Sequence, residues 1–439
     1  MAEACAALWS LSDTDANREY ARGLNLLDLL LEVMYKHRNN AVVSEEAVAA
    51  IAVLSRDPQN AKRLIQGTFT LANDGGGGGG GGDVKDHKMG KQESAAISNI
   101  CSKTITVIDG LVAGIHPDRL IIMPRVVQSS CIAMQTLMLS WLRPEYVHDH
   151  HAQEEIQQRV MMAALMITTV RTDTLSCVVD KACGALMVMT NRADDKSIFQ
   201  QLGGIEVLVG GLRDFISLTS SSSSSSSSRL SPPSLLCLAS CVVLTSILTL
   251  SWSACNTPAT RQYFGATLGG IPILLDCMTM HSRNATVMEP ACVLLNVLAM
   301  NPDNSVRVGV RGLRILRTCM RIHMKRAVVT QWAAEAFKVL ANTQLRILID
   351  QFVPLGILDT LIVALVEHCS NDDAIRRVSS ACHAVMLHDP TLANVQYFLA
   401  NQGYETVKLV SAHIQGKDVL PATRTVVANL VSFLDGHTH

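Results

Sequence analysis

The chain has 439 residues, 37 of them basic and 38 acidic, a net charge of −1, and a composition that is 48% hydrophobic but only 4% aromatic. A single globular core stops growing at about 250–300 residues, so this length asks for several domains or for a core that extends along one axis. The balanced charge argues against a general nucleic-acid binder, which carries a clear basic excess. The bias toward Ala, Leu, Val and Met suits stacked helices better than a β-sandwich.

In chain order, residue 2 already lies inside an expected helix, and Glu3, Asp13 and Asp15 interrupt any signal-peptide pattern. Ala2, Cys5, Leu8 and Leu11 would make an uncapped apolar edge, which reads as a piece of a longer protein or as an edge that meets a partner. At Leu11 a phrase begins that returns along the chain. Leu11 and Asn17 recur as Leu54 and Asn60, 43 residues on, and again as Leu298 and Asn304. Met34 and His37 recur as Met278 and His281 and as Met320 and His323. A fixed period of about 20–50 residues marks a solenoid, in which each unit buries its apolar face against its neighbours. The clearest frames are 1–43, 44–72, 173–212, 234–281, 282–323, 325–368 and 372–414.

Two runs of low complexity interrupt the pattern, Gly75 to Gly82 and Ser220 to Ser228. Glycine and serine bury too little apolar surface to offset the entropy of ordering, so both read as flexible rim loops. Gly90, Lys91 and Gln92 lack the spaced glycine and the Ser or Thr of a phosphate loop. Residues 92–172 read as irregular helices at 92–114, 125–142 and 152–170. Within them His148, Asp149, His150 and His151 resemble a loose metal cluster, but consecutive residues in a solvated loop rarely converge on one centre. Leu235 to Trp252 is apolar enough to raise a membrane span, whereas Ser240, Thr245, Ser246, Thr249 and Ser251 favour a buried core helix.

The best copy of the unit runs from Ala291 to His323. A long helix at Ala291–Ala299 stops at Asn301 and Pro302, a short helix reaches Gly309, and a third opens at Gly312 and Leu313. A last helix is expected at Thr423 to Leu434. These phrases resemble the armadillo-repeat family, carried by Leu202-Gly203-Gly204-Ile205, Leu268-Gly269-Gly270-Ile271 and helix phrases such as Ala336 to Ala341. HEAT-type helical pairs are the rival reading. The resemblance covers most of the chain and implies an all-α, right-handed α-solenoid of about nine repeats over 1–72, 92–216 and 233–439. Disordered Gly-rich and Ser-rich inserts would occupy 73–91 and 217–232.

Armadillo proteins that grip extended peptides use Asn on the third helix. Here those positions hold Ser10, Val53, Val188, Thr249, Val297 and Val339, and the accompanying Trp positions hold Ala6, Ala49, Gly184, Val293 and Glu335. Valine cannot hydrogen-bond a peptide backbone, so the resemblance implies a different groove, apolar and suited to an amphipathic helix.

No catalytic signature is present, and no cofactor, metal or small-molecule substrate is implied. The histidines His37, His281, His323 and His368 recur once per unit near helix ends. They read as caps for free carbonyls on an outer edge rather than as ligands or a titrating ladder. The thirteen cysteines form no C-x-x-C pair and read as reduced thiols of an intracellular protein, cytoplasmic or also nuclear. From Asn304 to Ala334 there is no acidic residue, while Arg307, Arg311, Arg314, Arg317, Arg321, Lys325 and Arg326 all fall there. Arg314, Arg317 and Arg321 share one helical face. With Lys325 they form either a solvated face or a docking patch for an acidic peptide, a phosphorylated segment or an RNA backbone, and the rival function is a nucleic-acid-binding α-solenoid using the stripe from Arg307 to Arg326. Only Trp332 lies nearby for base stacking, which disfavours nucleic acid.

Overall fold

The computed structural model describes residues 1–37, 40–57, 59–60, 161, 176–190, 193–222, 235–415 and 419–438. Among them are 19 α-helices, one π-helical turn and no strand, so the all-α solenoid expected from the repeat is the fold observed. The chain forms two units, Met1–Gly204 and Ile205–His439. In the first lie α1 (Ala2–Leu11), α2 (Asp15–Gly23), α3 (Leu26–Lys36), α4 (Ala41–Leu54), α5 (Ser176–Met189) and α6 (Ala193–Gln201). Next come α7 (Gly204–Ser222), α8 (Leu235–Ala254), α9 (Pro258–Gln262) with the π-turn Tyr263–Thr267, α10 (Gly270–Met280), α11 (Ala285–Ala299) and α12 (Pro302–Ile322). The chain closes with α13 (Ala327–Asn342), α14 (Arg346–Ile349), α15 (Ile357–Glu367), α16 (Asp372–Leu387), α17 (Ala393–Ala400), α18 (Gly403–Gln415) and α19 (Pro421–Asp435). The Gly75–Gly82 run, the helices expected at 92–172 and the His148–His151 cluster lie outside the described residues. Helix α7 continues to Ser222, so it carries helical structure into the segment expected to be a serine loop.

In the second unit the long third helices α8, α11, α13, α16 and α19 pack in one row. The second helices α10, α12, α15 and α18 pack in another. Small residues let the third helices approach closely: Ala291, Ala333, Ala334, Ala336 and Ala381 are all fully buried. Helix α8 belongs to this row, with Leu244, Leu248 and Leu250 buried and its Thr245, Thr249 and Ser251 hydroxyls donating to carbonyls one turn back. Among the described residues no single helix is long and apolar enough to cross a membrane.

The recurrent Leu and Asn now have a physical reason. The last carbonyls of a helix have no partner within it. The Asn17 side-chain amide donates to Leu11 O at 2.6 Å, Asn60 to Leu54 O at 3.1 Å, and Asn304 to Leu298 O at 3.1 Å. The residue three before each Asn in turn caps the next helix, as Thr14, Asp57 and Asn301 accept from the Asn backbone amide. Asn304 also donates to Arg261 O of the preceding repeat, at 2.9 Å, and so ties two repeats together.

The Gly-Gly pair has two separate tasks. Gly269 turns the chain between first and second helices with φ +65°, a conformation costly for other residues. Gly270 makes room, because a Cβ there would overlap the Phe264 ring. Phe199 and Gly204, like Phe398 and Gly403, make the same contact at a separation of five residues, but Phe264 and Gly270 are six apart. The π-turn Tyr263–Thr267 absorbs the additional residue. Gly309, expected as a boundary, breaks α12 with φ 53° and ψ −163°.

Replacing Asn304 by Ala leaves two carbonyls of the stack without a donor, and should cost about 2–4 kcal/mol. Asn17→Ala, at an exposed position with one such bond, should cost no more than about 1 kcal/mol. Urea unfolding followed by circular dichroism checks the ranking, and equal losses at the two sites would refute the inter-repeat role of Asn304.

Candidate interaction surfaces

The histidines do not sit on an outer edge. His323 and His368 are only 7% exposed, and each reaches the turn of the preceding repeat. His323 Nε2 lies 2.7 Å from Ser282 O, and His368 Nε2 lies 2.7 Å from Met324 O. Against a carbonyl the ring nitrogen donates, which fixes the Nε2–H tautomer. Each acceptor directly follows the histidine of the preceding repeat, His281 or His323, so the contact advances one repeat at a time. The turn itself is reinforced by bonds from Asn284 N to His281 O, Arg326 N to His323 O and Asn371 N to His368 O. The expectation that these side chains meet carbonyls at helix ends was sound in kind. The acceptor, however, belongs to the neighbouring repeat, and that buries the ring.

His281 breaks the series. Its Nε2 is buried with no partner, and its ring packs 5.4 Å from Phe215. Phe215 stands 11 residues after Gly204, as His281 stands 11 after Gly270, but α7 runs on to Ser222 instead of turning there. No turn carbonyl is presented at that level.

The third-helix surface differs from the apolar groove expected. Val293 and Val297 are only 8% and 6% exposed, because neighbouring third helices close over them. What shows instead is mixed. Trp332 carries the Arg377 guanidinium 4.1 Å from its ring centroid, and Glu335 pairs with both Lys338 and Arg377. Further along, Lys338, Asn342, Ser380, His383, Leu387 and Asn429 line a shallow depression. Burial and the nearby His388 hold the His383 imidazole below its ordinary pKa.

The basic stripe lies on the other row. Arg314, Arg321 and Lys325 are exposed and Arg317 is half-buried. None of the four forms an ion pair with a described carboxylate, whereas Arg311 pairs with Asp276 and Arg346 with Asp350. Arg314, Arg317 and Arg321 line two adjoining depressions of about 560 and 440 Å³, together with the turn Val353–Gly356, Asp359, Thr360, Val363 and Tyr397. All of these residues come from first and second helices and the turns between them. The stripe therefore does not line the third-helix surface. Tyr397 donates to Asp359 at 3.0 Å, and that bond pushes the phenol above its usual pKa.

Eight of the cysteines are buried. Burial pushes the Cys277 and Cys382 thiols up to about 12, so they pack as small apolar groups. Among the described residues no His, Cys, Asp and Glu group is arranged to hold a metal.

These rows of helices define an armadillo-like helical solenoid. No family model matches the sequence, and no curated protein matches it. In structure the chain is similar to one from work on a conserved phosphorylation switch controlling the interaction between cadherin and beta-catenin. The TM-score is 0.61 at 15% sequence identity, over 99% of this chain and 74% of that one. Beta-catenin is itself an armadillo-repeat protein, and at this identity the likeness is one of fold.

Burial alone lowers the pKa of His281 from its ordinary 6.5. A histidine whose folded pKa is depressed contributes fully above the unfolded value, and that contribution is lost as pH falls below about 6.5. The melting temperature should thus drop more between pH 7.5 and 5.5 in the natural chain than in a His281→Phe variant. Parallel slopes for the two proteins would remove His281 as a source of the acid sensitivity.

Proposed function

We propose that this protein is an armadillo-repeat scaffold that binds other proteins without catalysing a reaction, working in the cytoplasm. The observation that carries this reading is the set of four cations, Arg314, Arg317, Arg321 and Lys325, left without carboxylate partners on one open face. Elsewhere in the unit Arg376 is paired with Asp373 three residues away. Three unpaired guanidiniums along one helix suit an acidic protein segment, since Arg recognises carboxylates through paired donors. The structural likeness to a chain from a protein–protein interaction study supports the same class of function.

Fluorescence anisotropy with a labelled oligoglutamate peptide and with oligouridine of equal charge tests the reading. The acidic peptide should bind the natural chain, and the triple variant Arg314→Glu, Arg317→Glu, Arg321→Glu should weaken it by at least about tenfold with an unchanged melting temperature. Tighter binding of oligouridine, with a steep salt dependence, would transfer the stripe to nucleic-acid recognition instead.

A further inference from the structure

The depression beside the stripe is open for a local reason. Arg311 stands 12 residues before His323 and Gly356 stands 12 before His368, so the two are equivalent positions in consecutive repeats. In the first repeat Arg311 reaches back to Asp276 and bridges α12 to α10. In the next there is no side chain at all, and Gly356 holds φ +64°. The channel between α12 and α15 is left unbridged, with the Arg317 guanidinium beside Gly356 and its Nε buried without a partner.

The two walls of this channel differ in chemistry. Along α12 run Arg314, Arg317 and Arg321, spaced over seven residues, or about 10 Å of helical rise. Along α15 run Thr360 and Val363, with Val366 one turn further, and Met324 closes that end. Val363 and Val366 are 52% and 59% exposed, high for valines on a packed helix. A cationic row and an apolar row, both parallel to helix axes, form a template for a helix with one acidic and one apolar face. An extended peptide finds little here, because the walls are helices whose backbone groups are already paired among themselves. Asp359 also lines both depressions, its carboxylate accepting from the Tyr397 hydroxyl.

We propose that the α12–α15 channel docks an acidic amphipathic helix of a partner protein. Its carboxylates, three to four residues apart, would face Arg314, Arg317 and Arg321, and its apolar side would lie on Val363, Val366 and Met324. This inference rests on the acidic-segment reading above and adds the partner's conformation, its face and the apolar half of the contact.

The test uses the full chain and two labelled peptides of about 18 residues with identical composition. One places Glu and Leu on adjacent helical faces, and the other scrambles them so that no face forms. The amphipathic peptide should bind at least about tenfold more tightly than the scrambled one, with a gain of helical circular dichroism on mixing. Val363→Ser, a neutral change at an exposed site that leaves the core untouched, should weaken the amphipathic peptide at least about fivefold and leave the scrambled one unchanged. Arg321→Glu should weaken both. Equal binding of the two peptides, still lost in Arg321→Glu, would overturn the helical docking while leaving a charge-only acidic site. Binding of neither peptide, with melting temperatures intact, would overturn this inference and the acidic-segment reading together. Tighter binding of oligouridine than of either peptide would overturn both in favour of nucleic acid.

Discussion

The stack depends on how the ends of its long helices are satisfied. Where a third helix is buried, as at Leu298, water cannot reach its last carbonyls, and each unpaired one would cost about as much as a lost hydrogen bond. The amide of an asparagine in the following helix supplies the donor, at Asn17, Asn60 and Asn304 alike. Asn394 reaches Val385 O across nine residues, whereas at these three sites the amide folds back across six. The same residue fixes where the next helix starts and, at Asn304, which carbonyl of the preceding repeat it grips. Period, turn and inter-repeat register are therefore three results of one constraint.

A second set of bonds works from the opposite side of the repeat. His323 and His368 sew each second helix to the turn before it. With asparagine at one corner and histidine at the other, the repeats are held by directional bonds as well as by the apolar core. The surface is thereby freed for other uses, and it divides by helix row. The third helices expose a balanced network around Trp332, Glu335 and Arg377, already paired internally. The second helices expose Arg314, Arg317 and Arg321, none of which forms an ion pair with a described carboxylate. An internally paired surface presents little net field, whereas an unpaired one attracts opposite charge from a distance set by the ionic strength.

Most of the architecture was legible because it rests on local chemistry. Proline at Pro302, the Gly-Gly pairs and the Leu-to-Asn spacing act within one or two turns, and each carries its own residue type. Solvent exposure was less legible. Val293 and Val297 were identified at the correct helical positions, but their depth depends on how closely the next helix approaches, which small residues such as Ala333 and Ala336 on that neighbour decide. The histidine acceptors lie 41 and 44 residues away, so no window of the sequence could pair them. The π-turn at Tyr263–Thr267 leaves no mark beyond one additional residue between Phe264 and Gly270. The stripe was visible as charge, but its channel was not, because an absent side chain at Gly356 is what opens it.

The interruption at His281 has a mechanical consequence. In a nearest-neighbour array the cooperative length is set by the weakest junction, since opening propagates until it meets a step that costs more than the last. The steps from α10 to α12 and from α12 to α15 each carry a histidine tie, whereas the step from α7 to α10 has a ring tilted against Phe215 and an unspent nitrogen. That junction is therefore the one expected to part first, with α7 opening at lower free energy than the tied helices α10, α12 and α15. The arginines lie on one of these tied helices, so the face that bears them is expected to keep its shape while α7 opens.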